Sequence, residues 1–286
     1  MFLVPLSSLQ NIVCGALAVL ANGVYERLAE FEELVESGEG EEVRAEANAI
    51  ASETPKLLPS LFKLVDSLHA TQPQSNKKEG EEMGIEEDSE MVDSQRNNSE
   101  GVQVVAGAIS ALARLAPKPF LQGMFKKVIQ RLLEASQSDE DLSEKMCSLL
   151  SLAQALVVSE CLDESSIALL YRALKPLIRT DRTTSRVQKR AYKVMAEICQ
   201  RYHSFVTGDD RLQELCELLT SSIFTSQIAA RHMRLKCLNN IVDGFDPSNK
   251  NHMVRTADSL VHNVVRTGPL NIVRYACPYR KQYPSW

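Results

Sequence analysis

The chain has 286 residues and a formal net charge of −5, so it can bury a full hydrophobic core and, taken as a whole, is not a basic nucleic-acid-binding module. Leucine and alanine, two strong helix formers, supply 35 and 25 residues, whereas glycine supplies 12 and aromatic residues only 6% of the chain. A β-sandwich or β-barrel needs many turn glycines and many β-branched or aromatic residues, so the composition argues against both and predicts an all-α fold.

The first 70 residues are predicted to form helices, because apolar residues recur three or four positions apart. Two such stretches come first, and a third follows Pro55, which we interpret as a helix start signal. The stretches are Leu6, Leu9, Val13, Leu17 and Leu20; Val24, Leu28, Phe31, Leu34 and Val35; and Leu57, Leu58, Leu61, Leu64, Val65 and Leu68. The first 25 residues carry no charge, but polar residues interrupt them and no basic residue precedes Arg27. This favours a buried helix over a signal peptide or a membrane span.

Residues 71–100 form an acidic segment with a net charge of −6 and no apolar periodicity. Such a segment cannot bury enough surface to offset the entropy lost on ordering. The composition therefore predicts a disordered insert between helices, which would be either a solvated spacer or a docking site for a basic partner.

Residues 101–266 show the pattern of a regular helical array. Candidate helices cover about 101–115, 118–135, 139–158, 163–178, 185–205, 209–222, 227–242 and 250–266. Taken in pairs, they begin near residues 101, 139, 185 and 227, at intervals of 38, 46 and 42 residues. Two-helix repeats of about 40–47 residues are typical of HEAT and armadillo proteins, so the pattern predicts an α-solenoid of paired antiparallel helices. Residues 267–286 contain three prolines and are predicted to form an irregular C-terminal tail.

Charge is distributed unevenly along the chain. Residues 1–100 carry a net charge of −13, residues 101–286 carry +8, and residues 172–201 alone carry +7. Because the loops of a solenoid line up along one edge, this peak of charge predicts a basic edge that attracts phosphates or an acidic protein surface. A solvated helix face would give the same pattern. The candidate RNA or partner contacts are Arg182, Arg186, Lys189, Arg190 and Lys193.

Residue patterns that carry chemistry are missing from the sequence. It contains no glycine-rich phosphate loop and no G-x-S-x-G nucleophile turn. The seven cysteines include no C-x-x-C pair, which indicates a reducing compartment. Cys199 and His203 could share a helix face, but zinc needs three or four ligands. We therefore expect neither a metal nor another cofactor, and no enzymatic activity.

Four stretches resemble a known family. They are KMCSLLSLAQAL (Lys145–Leu156), IALLYRALKP (Ile167–Pro176), VQKRAYKVM (Val187–Met195) and RHMRLKCL (Arg231–Leu238). Together they resemble the ribosomal RNA-processing protein 12 family of HEAT-repeat proteins, with QKRAYKV as the most specific piece. The resemblance covers about residues 50–266.

The resemblance implies a nuclear and nucleolar protein without catalytic residues. Its implied partners are pre-ribosomal particles, ribosomal RNA and other assembly factors, in ribosomal RNA processing and subunit export, with nuclear transport machinery as a further partner and no membrane. Family members are several times longer than this chain, so we expect a partial or truncated member. Two alternatives stay open: a karyopherin-type transport adapter whose acidic insert docks basic cargo, and an assembly scaffold with protein partners only.

Overall fold

The structure is a computed structural model that describes residues 6–33, 40–70, 89–138, 142–179, 183–221 and 228–243. Within these ranges the regular structure is helical throughout and contains no strand, so the predicted all-α fold of helices packed on helices is confirmed. The helices are α1 (Leu6–Glu33), α2 (Gly40–Ala70), α3 (Ser89–Leu115), α4 (Lys118–Gln137), α5 (Ser143–Val158), α6 (Glu164–Arg179), α7 (Ser185–Arg201), α8 (His203–Val206), α9 (Asp209–Ser221) and α10 (Ile228–Asp243).

The chain divides into two compact units. The first is drawn from residues 1–128 and 144–161, and the second from residues 129–143 and 162–286. The predicted helix at 250–266 and the predicted tail at 267–286 lie outside the described residues.

In the first unit, α1 packs on α2 and α3, but not through the face that the leucine spacing predicts. Leu9, Val13 and Leu20 are each more than half exposed, whereas Cys14, Ala21 and Val24 are buried. The prediction of a leucine-lined contact was therefore wrong. The distance between packed helices depends on the side chains at the contact, and small side chains allow a close approach. At Gly101 of α3, an added Cβ would lie 3.4 Å from Asn11 Oδ1 of α1.

The exposed side of α1 also corrects the expectation of a buried helix. The stretch Leu9–Glu30 has 22 residues and a mean hydropathy of 1.4. By length and composition alone, it could cross a membrane. Only 17% of it is buried in this unit. Core helices and signal sequences meet the same criterion, so the stretch by itself identifies no membrane segment.

The two stretches predicted on either side of Asn22 lie on one continuous helix as far as Glu33, and Leu34 and Val35 lie outside the described residues. Helix α2 likewise runs through Pro55 and Pro59. Pro55 is therefore not a helix start. Proline has no N–H to donate to the carbonyl four residues earlier, which here is that of Ala51. The Thr54 hydroxyl donates to the Ala51 carbonyl at 2.7 Å and so replaces the missing donor.

Polar contacts also join α2 to α5 inside the first unit. The Ser148 hydroxyl donates to Asp66, and His69 Nε2 lies 3.2 Å from Ser151 Oγ. Ser151 Oγ donates its single proton to the Cys147 carbonyl at 2.8 Å, so His69 Nε2 must be the donor in its contact. Residues on α2 pair with residues 82 positions later on α5, in the same order along both helices, so these two helices run parallel.

The acidic insert is shorter than predicted. Helix α3 begins at Ser89, so residues 89–100 are helical and not disordered. Adding residues to an existing helix costs less than nucleating a new one, so a strongly helical 101–115 segment can extend into a polar one. The remaining part of the insert, residues 71–88, lies outside the described residues.

In the second unit, α6 and α9 are joined by ion pairs and a hydrogen bond. Arg211 Nη1 lies 3.1 Å from Glu164 Oε1, the Tyr171 hydroxyl donates to Glu214 at 3.3 Å, and Lys175 pairs with Glu214. In these contacts the separations of 47, 43 and 39 residues agree with the repeat interval that the sequence predicts.

The packing of α1 gives a direct test of which face is its core face. We expect Ala21→Leu to lower the free energy of unfolding by about 1–3 kcal/mol, because Ala21 is 1% exposed and a larger side chain must displace its neighbours. The control is Val19→Gln on the same helix, at a residue that is 72% exposed, which should change stability by no more than about 0.5 kcal/mol. Urea unfolding followed by circular dichroism measures both, and equal losses would show that the face is wrongly assigned.

The contacts of Glu214 make stability depend on pH. The hydrogen bond from Lys175 lowers the pKa of Glu214 below its ordinary value of 4.5, and Tyr171 adds to the effect. A lowered folded-state pKa stabilises the fold above the unfolded pKa, and this contribution is lost as the pH falls through the folded pKa. We expect Glu214→Gln to cost up to about 1 kcal/mol at pH 7, since the pair is partly exposed.

The difference between Glu214→Gln and the unsubstituted chain should close as the pH falls below about 4.5. Glu217→Gln, an exposed position on the same helix, is the matched control. Urea midpoints measured from pH 7 to pH 3 provide the comparison. A difference that grows on acidification would contradict the assignment.

Candidate functional site

Helix α7 carries four of the five predicted contact residues on one flank. Arg186 and Lys189 are exposed, and Arg190 and Lys193 are half-buried. The opposite side of α7 is buried, through Val187, Gln188, Ala191, Tyr192, Val194, Met195, Ala196, Ile198 and Cys199. Arg182 lies outside the described residues. Helix α7 is thus amphipathic, and it ends at Arg201 and not at residue 205.

The basic flank is held in place by a hydrogen bond between α7 and α6. The buried Gln188 side chain donates to the Ile178 carbonyl in the last turn of α6, at 3.4 Å. Arg201 pairs with Glu197 one turn before it, at 3.2 Å. The helix therefore cannot rotate without breaking a buried hydrogen bond, and the flank keeps a defined orientation within the second unit.

Helix α10 packs on α7 and runs parallel to it. Cys237 Sγ lies 3.3 Å from the Tyr192 carbonyl oxygen, and the Asn240 amide donates to the Ala196 carbonyl at 2.8 Å. These pairs are 45 and 44 residues apart, again within the predicted repeat interval. The same register brings Lys236, exposed on α10, close enough to Lys193 for the two charges to interact.

Four positive side chains therefore meet on two helices. The pKa of Lys193 is lowered from its ordinary value, first by burial and then by repulsion from Arg190, Lys189 and Lys236, while Glu197 acts in the opposite direction. A lowered pKa means that the charged form of Lys193 is less favourable here than in water. An anion placed among these side chains would relieve that repulsion.

Lys236 is a member of this cluster that sequence analysis missed. It lies 43 positions after Lys193 in the chain, and a count of local charge covers only neighbouring residues. The signal was nevertheless present, because the interval of 42 residues between the paired helices at 185 and 227 places residue 236 beside residue 194, which directly follows Lys193. Repeat spacing combined with charge would have identified it.

Arg234 shows that some basic residues of the second unit stabilise the fold and do not face a partner. It is 2% exposed, and its Nη1 donates to the Leu219 carbonyl at 3.2 Å, in the last turn of α9. Burial lowers the pKa of Arg234. A cation at a helix C-terminus interacts favourably with the carbonyl end of the helix dipole. Arg234 therefore joins α10 to α9 and does not contribute to the exposed cluster.

Four of the cysteines that the structure describes have thiols that resist ionisation. Burial raises the pKa of Cys216 to about 12 and raises the pKa of Cys14, Cys161 and Cys237 above the ordinary value. A thiol must ionise to act as a nucleophile or a metal ligand. Within the described ranges, no group of three or more histidine, cysteine or acidic residues could hold a metal ion. Cys199 is buried and His203 is exposed, so these two do not form a ligand pair.

The register of α10 on α7 can be tested at Asn240. We expect Asn240→Asp to lower the free energy of unfolding by about 2 kcal/mol or more at pH 7, because a buried carboxylate would face the Ala196 carbonyl without a proton to donate. Protonation restores a donor, so the loss should shrink at low pH. Thermal or urea unfolding at pH 7 and pH 4 measures both effects.

The control for this substitution is Asn239→Asp on the same helix. Asn239 is exposed and donates to Asp243 at 2.8 Å, so the new acid faces a like charge one turn away. Like charges at this spacing cost only about 0.2–0.5 kcal/mol. Equal losses for the two variants would show that the Asn240 contact does not hold the helices in register.

Comparison with known proteins gives two relatives of the same name. The RRP12-like protein of Homo sapiens is 28% identical over 144 residues, which cover 49% of this chain and 10% of that protein. The RRP12-like protein of Gallus gallus is 30% identical over 118 residues, which cover 40% of this chain and 9% of that protein. No protein-family model matches the chain.

The matched part of the chain spans about a tenth of the length of these two relatives. Their name agrees with the family to which the four sequence stretches point. The resemblance is therefore confirmed, and over about half of its length this chain is a partial relative of the RRP12-like proteins.

Proposed function

We propose that this chain is a non-catalytic HEAT-repeat scaffold in ribosome biogenesis, which associates with pre-ribosomal particles and their RNA in the nucleus and nucleolus. The observation that carries the proposal is the similarity to two RRP12-like proteins, at 28% and 30% identity. The side-chain contacts of α6 with α9 and the parallel packing of α10 on α7 join residues 39–47 positions apart, which supports a repeat of two helices.

The proposed mechanism is binding, in which stacked helices hold charged side chains in fixed positions. Buried faces such as that of α7 supply the stability, and exposed flanks meet the partner. The raised pKa values of the buried thiols favour this mechanism over covalent chemistry. Other assembly factors and nuclear transport machinery are further proposed partners, through which the chain would take part in ribosomal RNA processing and subunit export.

The five predicted residues Arg182, Arg186, Lys189, Arg190 and Lys193 are proposed as the RNA-facing edge. Their support is the net charge of +7 between residues 172 and 201, together with the exposure of Arg186 and Lys189 on α7. Phosphate contacts of this kind position a protein on RNA without reading its sequence. We therefore expect the chain to recognise RNA by its backbone and shape.

Sedimentation tests the proposed function directly. We expect the epitope-tagged full chain, expressed in cultured cells, to cosediment with pre-ribosomal particles in a sucrose gradient and to enrich precursor ribosomal RNA. Treatment with RNase should release the chain to light fractions, whereas DNase, the matched control, should not.

Three outcomes would overturn the proposed function. The chain could stay in light fractions without nuclease, or its large complexes could survive RNase, as a scaffold with protein partners only would behave. Capture of a Ran-type GTPase without precursor RNA would instead identify a transport adapter.

A further inference from the structure

Three lysines on two parallel helices form a compact positive cluster. Lys189 and Lys193 are one turn apart on α7 and therefore share a face of that helix. The register set by Cys237 and Asn240 adds Lys236 from α10. The side chains are thus held together by the fold and not by sequence proximity alone.

The three lysines of this cluster are not neutralised by an ion pair within the described residues. Among the described residues, Lys189, Lys193 and Lys236 form no ion pair with a carboxylate. Glu197 favours the charged form of Lys193, but its carboxylate pairs with Arg201 at 3.2 Å. Arg190 adds a fourth positive charge. Like charges held this close raise the free energy of the unbound protein, and an anion would lower it.

We propose that Lys189, Lys193 and Lys236 form a binding site for the phosphate backbone of RNA. This inference rests on the proposed function for the identity of the ligand and adds to it a defined site that spans two repeats. Lysine suits the role, because its ammonium group acts as a compact point charge that can approach a phosphate from many directions.

The surroundings of the cluster favour RNA over an acidic protein. Protein interfaces depend on apolar and aromatic anchors at their centre. Among the side chains that the structure describes, α7 exposes no large apolar residue and α10 exposes one, Leu235, at 38%. A surface of charged side chains without such an anchor is typical of backbone contacts to nucleic acid.

The same surroundings predict binding that does not depend on base sequence. Tyr192 lies between the basic residues of α7 in the sequence, but its side chain is fully buried, so no base can stack on it. Contacts limited to phosphates carry no sequence information. We therefore expect RNAs of different sequence to bind with similar affinity. Substitution of the three lysines should weaken the binding of all of these RNAs equally.

The test compares two double variants of the full chain that remove the same charge. The site variant is Lys193→Gln with Lys236→Gln. The control variant is Lys126→Gln with Lys127→Gln, which removes two exposed lysines from α4. Fluorescence anisotropy with a labelled single-stranded RNA of mixed sequence gives the affinity at several salt concentrations, and circular dichroism melting checks that each variant is folded.

For the site variant we expect the slope of log affinity against log salt to fall by about 0.7 for each lysine removed, with a weaker affinity at every salt concentration. The control variant should keep the slope of the unsubstituted chain. The losses of binding free energy in the single variants Lys193→Gln and Lys236→Gln should not add up to the loss in the double variant, because two lysines that contact one phosphate are coupled.

Several results would overturn the site. They are an unchanged slope in the folded site variant, an equal loss in the control variant, or no RNA binding by the unsubstituted chain. Binding of polyglutamate that the site variant loses, with RNA binding unaltered, would identify an acidic protein surface as the ligand. Failure of the site leaves the proposed function standing if the chain still cosediments with pre-ribosomal particles, whereas failure of cosedimentation overturns the function itself.

Discussion

The packing of α10 on α7 is the contact on which the candidate site depends. On α10, the Asn240 amide donates to the Ala196 carbonyl, and Cys237 Sγ lies 3.3 Å from the Tyr192 carbonyl oxygen, both inside the second unit. Both groups are buried, so a slip of one helical turn, about 5.4 Å, would leave the Asn240 amide without its acceptor. The register of the two helices is therefore specified by polar contacts and not only by apolar surface.

Much of the second unit could be predicted, because its signals are local and periodic. Helices α6, α9 and α10 begin and end within one residue of the predicted bounds, and α7 begins where it was expected. Alternating apolar and polar positions at helical spacing report burial directly when a helix has one buried face, as α7 does. The position of Lys236 beside Lys193 could not be read from such local patterns, since it arises from tertiary register between helices.

The first unit was predicted less well, for reasons that its residues make clear. Helical spacing identifies a face but not the neighbour that covers it, and α1 packs by Cys14, Ala21 and Val24 while its leucines face outward. At Pro55 the predicted helix start does not occur, because the hydroxyl of Thr54 donates to the carbonyl that proline leaves without a partner. A pattern of apolar spacing does not register small residues or single hydrogen bonds. These features determined the packing face of α1 and the continuity of α2.

The basic residues of the second unit divide into two physical roles that charge counting cannot separate. Arg234 is desolvated and donates to a carbonyl at the end of α9, so its charge stabilises the connection between helices. Lys189 and Lys236 are exposed, and Lys193 is half-buried among positive neighbours without an ion pair among the described residues. A fold that needed only solubility could scatter these lysines at lower electrostatic cost. The packing of the buried Asn240 amide and Cys237 thiol brings these lysines together, which raises the free energy of the unbound protein. A bound phosphate would offset this electrostatic cost.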